Sequence, residues 1–307
     1  MIRYVAIKLL EALIAVWGVI TIVFFVTRLL GDPVTLLLPI GATEEQMAQL
    51  RQGLGLDLPL WQQYFAFIGQ VARGDFGESF VFNRPALEVI LERMPATIEL
   101  SLFALVLGVL FGGGAGILAA LRRGTVAEMA VMTLALLGQA TPVFWLGIML
   151  ILFFSVDLGW LPTGGYGTFA HLVLPGVALA VFISSSIARL LRSSMLDTMK
   201  EDYVRTANAK GLMPRTVLFW HTLRNALIPV VTMIGILIGE LLGGAVVTET
   251  VFAWPGVGRV IYQAIEAKDF PVIQAGVALV AAIFVVANLL VDLLYAVLDP
   301  RTKTRRS

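Results

Sequence analysis

The chain has 307 residues, of which 58% are hydrophobic and only 14% charged, with a mean hydropathy of +0.88. Soluble domains run at about 45–50% apolar and about 25% charged, so the composition points to a membrane protein. A net charge of +1 offers nucleic acid no basic field, and the absence of cysteine excludes disulfides, thiolate metal sites and cysteine nucleophiles.

A membrane-spanning helix needs about 20 mostly apolar residues. Charge-poor runs predict six, over about 9–30, 98–120, 131–156, 172–191, 227–248 and 276–298. The fold class is therefore all-α, a polytopic membrane helix bundle. It divides into an N-terminal transmembrane helix (1–30), an extracytoplasmic segment (31–97), a core transmembrane domain (98–298) with an inner loop at 192–226, and a basic tail (299–307). Fifteen of the 22 Lys and Arg fall on one side of this arrangement, which places both termini inside. The first span lacks a small-x-small cleavage site after Arg28 and reads as a retained helix rather than a signal peptide.

In the outer segment, Thr43-Glu-Glu-Gln46 has the form of a capping box. Trp61, Tyr64, Phe65 and Ile68 follow helical spacing after Pro59 and predict an amphipathic helix; Leu87, Ile90, Leu91 and Met94 predict another. The segment reads either as a cap packed on the bundle or as a docking surface for an external protein. Gly108, Gly112 and Gly116 repeat every four residues, as do Gly235, Gly239 and Gly243, and such faces let helices approach closely. The stretch Leu158–Gly167 is turn-rich and predicts a loop. The inner loop contains Tyr203–Gly211, a short helix stopped by glycine, then a helix-like stretch Pro214–Ala226.

Chemical motifs are few. No Gly-x-x-x-x-Gly-Lys-Ser/Thr occurs, so the chain is not its own P-loop ATPase, and no His-Glu-x-x-His points to zinc. Ser184, Ser185 and Ser186 sit near mid-helix, away from His171 and His221, which favours helix hydrogen bonding or pore lining over a nucleophile. No catalytic residue and no metal site is expected. Ionisable residues inside spans are costly and mark function or internal pairing. Glu240 has three open readings: an ion or proton site, a structural hydrogen-bonding residue, or a polar element of a translocation path. Asn288 and Asp292 share a face of the last helix. Gln139, beside Thr141-Pro142, marks an expected kink. The pathway candidates are Gln139, Ser185, Glu240 and Asn288.

The inner loop also carries a resemblance. Asp202-Tyr-Val-Arg-Thr-Ala-Asn-Ala-Lys-Gly-Leu212, followed by Arg224-Asn-Ala-Leu-Ile-Pro229, resembles the docking loop of ABC importer permeases of the dipeptide/oligopeptide/nickel branch. Ala207, Gly211 and Leu223 fit the wider permease pattern; Arg205, His221 and Arg224 depart from it in the manner of that branch. Gly31-Asp-Pro33, Leu54–Leu60, Gly74–Ser79, Arg93–Thr97, Leu158–Pro162 and Glu249–Gly258 agree along nearly the whole chain, and the large outer segment resembles that of the first of the two permeases in such systems. The resemblance implies a type I importer-like permease fold in the bacterial inner membrane and a role in binding-protein-dependent peptide transport. It implies as partners a second homologous permease, two cytoplasmic ATPases and an extracytoplasmic binding protein, besides membrane lipid. It implies no cofactor on this chain, ATP being hydrolysed by the ATPases. It places ATPase docking on Tyr203, Arg205, Thr206, Ala207, Lys210 and Gly211, and contact with the binding protein on residues 31–97. The competing reading is an ion-coupled secondary transporter using Glu240.

Overall fold

The computed structural model describes residues 2–29, 34, 38 and 42–298, with side chains described within 7–241 and 245–290. The motif Gly31-Asp32-Pro33, the burial of Gly243, the side chain of Asp292 and the basic tail from 299 lie outside this description. Among the described residues all extended regular structure is helical, with one isolated bridge between Glu78 and Pro85. Among the described residues five helices are long and apolar enough to cross a membrane, or six if one bent pair is a single span. The backbone divides into two compact units, Met1–Thr97 with Pro255–Val285, and Ile98–Trp254 with Val286–Ser307.

In the first unit, α1 (Ile2–Leu29) is followed by α2 (Glu44–Gly53), α3 (Leu60–Val71) and α4 (Ala86–Leu91). The capping box at α2 is formed: the Gln46 amide donates to Thr43 Oγ1 at 3.3 Å and the Thr43 amide to Gln46 Oε1 at 3.0 Å. Helix α3 forms as predicted but with a different inner face. Trp61 and Phe65 are exposed, while Gln63 and Phe67 are buried. The reason is α1. Phe67 stacks on Phe24 with centroids 5.3 Å apart, and the Arg28 guanidinium donates to Gln63 Oε1 at 3.0 Å. Gln63 in turn donates to the carbonyls of Leu56 and Leu58. A polar residue thus sits inside because all its valences are used, which apolar periodicity cannot show.

The rest of this unit is built from α13 (Val257–Glu266) and the first part of α14 (Phe270–Leu298). Val89 and Ile90 of α4 pack with Val257, Val260, Ile261, Phe270 and Ile273. Asp269 stands fully buried between the two helices. Its carboxylate accepts from Ser79 Oγ at 2.5 Å and from the amides of Phe80 and Val81 at 3.2 Å each. That explains the Gly74–Ser79 stretch: Gly74 and Gly77 take positive φ and turn the chain so that Ser79 and the amides beyond it reach one acid.

The second unit is organised around α8 (Phe169–Thr198), which runs past both ends of its predicted span. Helix α5 (Met94–Leu121) meets it through glycine. A Cβ at Gly112 would lie 2.6 Å from the Ser184 carbonyl oxygen, and one at Gly116 would lie 2.9 Å from that of Ala188. The predicted small-residue face is therefore a backbone contact. The third predicted span is broken: α6 (Val126–Ala140) and α7 (Val143–Leu150), extended by the π-helical turn Ile151–Asp157, meet at 101°. Thr141 is extended, as a residue before proline must usually be, and its hydroxyl donates to the Leu137 carbonyl at 2.7 Å. The anticipated kink is a sharp corner.

After α8 come α9 (Asp202–Ala209), the turn α10 (Pro214–Thr216), a π-helical stretch Val217–Leu223 and α11 (Arg224–Gly244). Helix α12 (Val246–Val251) completes the unit. The predicted loop at 158–167 holds, and its Gly165 amide donates to the Phe252 carbonyl at 2.8 Å. Phe252, Trp254 and Glu249 are buried, so the Glu249–Gly258 motif supplies packing.

Candidate transport and docking sites

Two places in the second unit gather candidate functional side chains. The first is the inner loop. Helix α9 ends as predicted, with Gly211 at φ +76° in the left-handed region that favours glycine. Val204 and Ala207 are its inner residues and pack on Val217 of the π-helical stretch. The smallness of Ala207 thus serves contact within this chain, because a larger side chain would lift α9 off its own support. Tyr203, Arg205, Thr206 and Lys210 are exposed. Arg205 pairs with Asp202 one turn earlier at 3.6 Å. Tyr203 is bonded to Asn225; burial pushes its hydroxyl pKa up, against the pull of that bond. The loop therefore presents a short helix packed on Val217 through Val204 and Ala207, with Tyr203 and Lys210 exposed on its outer surface. Beside it Met213, Phe219 and Trp220 are also exposed.

The second place is an open cavity of about 930 Å³ between α6, α8 and α11. Glu128, Gln139, Ser186, Arg189, Arg192 and Met233 are among its lining residues. Arg192 is neutralised: its guanidinium bonds Glu128, with the Nε donating at 2.7 Å. Glu128 also accepts from the Gly124 amide at 2.5 Å, and its bond to Arg192 ties the start of α6 to α8. Arg189, almost one turn earlier, donates instead to the amide oxygen of Gln139.

The four pathway candidates do not converge. Gln139 lines the cavity. Ser185 is buried with its hydroxyl returned to the Val181 carbonyl at 2.7 Å, close against Gly138, so it mediates packing of α6 on α8. Glu240 lies within α11 but is exposed on this chain, whereas Gly235 and Gly239 of the same helix are buried. A residue next to a buried glycine is turned about 100° away from it on a helix of 3.6 residues per turn, so the glycine face and Glu240 are separate surfaces. Asn288 is half-buried on α14. Ser184 and Ser186 return their hydroxyls to the Ala180 and Phe182 carbonyls. Arg189 and the Glu128–Arg192 pair were missed by sequence reading. The basic pair entered only the count that sets orientation; Thr125-Val-Ala-Glu128 does have capping-box spacing, with the Glu128 amide donating to Thr125 Oγ1 at 3.5 Å, but that local pattern does not name Arg192 as the partner of the acid.

Comparison with known proteins gives this architecture its family. Residues 112–304 match the binding-protein-dependent transport system inner membrane component, and residues 1–101 match the N-terminal region of such membrane components. The chain is 41% identical to the di/tripeptide transport system permease DppB of Pseudomonas aeruginosa, with all of both chains covered. It is 40% identical to the dipeptide transport system permease DppB of Alkalihalophilus pseudofirmus, over 99% of this chain and 100% of that one. It is 43% identical to the glutathione transport system permease GsiC of Escherichia coli, over 98% of each. Among solved structures, the MetNI methionine ABC transporter matches with a TM-score of 0.57 at 20% identity, covering 69% of this chain and 96% of that one. An amino acid ABC transporter matches at 0.53 and 17%, covering 70% and 94%. These likenesses carry the fold, that of type I ABC importer permeases. The ion-coupled alternative finds no support in fold or relatives. The chain belongs to the inner-membrane permeases of binding-protein-dependent ABC transport systems, and is a transport component rather than an enzyme.

Proposed function

We propose that this permease forms half of a pathway for small peptides, with a second homologous permease supplying the other half. The observation that carries the cargo class is the full-length identity of 40–41% to permeases named for dipeptides and di/tripeptides; the glutathione permeases, at 43–44%, are named for a tripeptide-like solute. The cavity between α6, α8 and α11, where Gln139, Arg189 and the Glu128–Arg192 pair stand in a largely apolar lining, is consistent with such a route. Both termini lie in the cytoplasm, the basic-residue asymmetry being the support, and residues 31–97 face the binding protein. Helix α9 docks a cytoplasmic ATPase through Tyr203, Thr206, Lys210 and Gly211, while Ala207 holds the helix in place from within. ATP is bound and hydrolysed by that partner.

The deciding experiment is uptake in proteoliposomes of the assembled complex with its binding protein. ATP-dependent entry of labelled alanylalanine, trialanine or S-methylglutathione supports the reading; ATP-independent entry driven by an ion gradient overturns it. Orientation is tested with single cysteines at Gln52 and Ser307 in this cysteine-free chain, which should label from opposite sides of the membrane.

A further inference from the structure

The cavity between α6, α8 and α11 has an asymmetry that the permease assignment leaves unused. Two arginines one turn apart on α8 line it, and they are treated differently. Arg192 meets the carboxylate of Glu128, and the second Glu128 oxygen is taken by the Gly124 amide. That charge is neutralised. Arg189 meets only the neutral amide of Gln139 among the described residues. One positive charge in the cavity is therefore held in position but not balanced.

A guanidinium presents donors in a planar fork that matches a carboxylate, and its bonds to carboxylates are roughly twice as strong as neutral ones. The bond to Gln139 uses NH1 and leaves the other nitrogens of the fork for a ligand. Around it the wall is of another kind: Met129, Met132 and Met233 line the same cavity. Methionine is unbranched and adapts to different shapes. A site with one cationic fork, bonded to Gln139 and exposed to the open cavity, and a pliable apolar wall suits a solute whose carboxylate is constant and whose side chains vary. The volume of about 930 Å³ falls within the roughly 300–1,000 Å³ of small-molecule sites.

We propose that Arg189, positioned by Gln139, is a carboxylate-binding group in this half of the pathway, holding the C-terminal carboxylate of a small peptide in transit while Met129, Met132 and Met233 accommodate its side chains. This rests on the reading of the cavity as part of a peptide pathway. It predicts that Gln139 acts through Arg189, and that Glu128 serves to keep Arg192 out of competition for the cargo.

The test uses the absence of native cysteine. Ser193→Cys places the only thiol of this chain in the lining of the cavity, and its maleimide labelling is timed in the assembled complex in proteoliposomes and read on this chain after separation from its partners. Alanylalanine, trialanine and S-methylglutathione are tested, and the two alanine peptides, each with a single carboxylate, are compared with their C-terminal amides. The free acid should slow labelling at concentrations about tenfold lower than the amide, the factor expected for one charge-assisted hydrogen bond. Arg189→Gln should erase that difference, and Arg189→Lys should keep part of it. Equal slowing by acid and amide, or a difference that survives Arg189→Gln, overturns the proposal. So does slowing by phosphatidylglycerol in the vesicles with no peptide effect, which would assign the charge to a lipid headgroup. If the wild-type complex imports a peptide with ATP and yet none protects the thiol, the carboxylate grip fails while the cargo reading stands. If it imports none of the three, the cargo reading fails and this proposal with it.

Discussion

The interior formed by α4, α13 and the start of α14 and the interface between α5 and α8 are assembled from opposite residue types. The first is made of branched and aromatic side chains: Val89, Ile90, Val257, Val260, Ile261 and Phe270 are all buried. Its one acid, Asp269, is covered by three donors. The second is made by removing side chains, with Gly108, Gly112 and Gly116 bringing α5 onto Ile183, Ser184 and Ala188. Where a segment folds against water, burying apolar area is the driving term. Between helices in lipid that term vanishes, and close backbone contact takes its place. The comparison teaches that the two regions should fail differently: one by cavity or unsatisfied polar group, the other by intrusion.

The sharpest break is Gly112→Leu. Its Cβ would sit 2.6 Å from a backbone oxygen and 2.8 Å from a backbone Cα of Ser184, and neither can move without displacing α8. Overpacking typically costs about 1–3 kcal/mol, and more where backbone must shift. Gly113→Leu, one residue along, meets nothing within 4 Å and serves as the control. Folded yield and thermal stability in detergent should drop sharply for Gly112→Leu and stay near wild type for Gly113→Leu. Equal behaviour of the two would remove the contact from the list of structural determinants.

Next in size is Asp269→Ala, which leaves the Ser79 hydroxyl and the Phe80 amide without their acceptor, while the Val81 amide keeps its second bond to Ser79 Oγ at 3.2 Å. Each buried donor left unpaired costs about 1–3 kcal/mol. The first unit should loosen at residues 74–85, read as faster limited proteolysis there, with a lower melting temperature. Asp269→Asn keeps one acceptor oxygen and should fall between. A smaller effect distinguishes the two sides of α9. Ala207→Trp intrudes on Val217 and should destabilise the loop by about 1–3 kcal/mol, whereas Thr206→Trp lies on the exposed side. If α9 docks the ATPase through that side, Thr206→Trp should weaken ATPase co-purification while leaving the permease's own melting temperature unchanged.

Much of this arrangement is legible in the sequence because it rests on local rules. The capping box at Thr43, the glycine stop at Gly211, the corner at Thr141-Pro142 and the glycine face of α5 each follow from a backbone constraint carried by a few adjacent residues. What escapes is pairing across long separations. Gln63 is inside because of Arg28, Asp269 because of Ser79, and Glu128 because of Arg192; none of these partners is near in sequence. Glu240 drew attention as the one acid in its span, yet the acids buried among the described residues are Glu249, Asp269 and Glu128. Two of these three stand in stretches read as outer connections, where hydropathy assigns no interior. Apolar spacing likewise chose Trp61 and Phe65 for the inner face of α3, because it has no means of knowing that α1 offers an arginine.

The smallest expected effect lies at the surface of the first unit. Arg84 and Glu92 form a two-pronged ion pair beside α4. The hydrogen bonds from Arg84 hold the Glu92 carboxyl below its ordinary pKa, and those to Glu92 raise that of Arg84. A carboxyl whose pKa is lower in the folded chain binds fewer protons there than in the unfolded chain, so its stabilising effect is present above the ordinary carboxylate range. It fades as pH falls through the depressed folded value. Arg84 stays charged throughout that window. Solvent screens such pairs and their measured contributions are small, but fork-to-fork geometry is the arrangement in which one remains measurable. Glu92→Gln should therefore lower the melting temperature slightly at pH 7, and the gap to wild type should close as pH is taken below the carboxylate range. Added salt should shrink the gap at pH 7 as well. A gap that is constant with pH and salt would mean that Glu92 acts through packing on α4 rather than through its charge, and would bring this surface pair under the same packing logic as the core beside it.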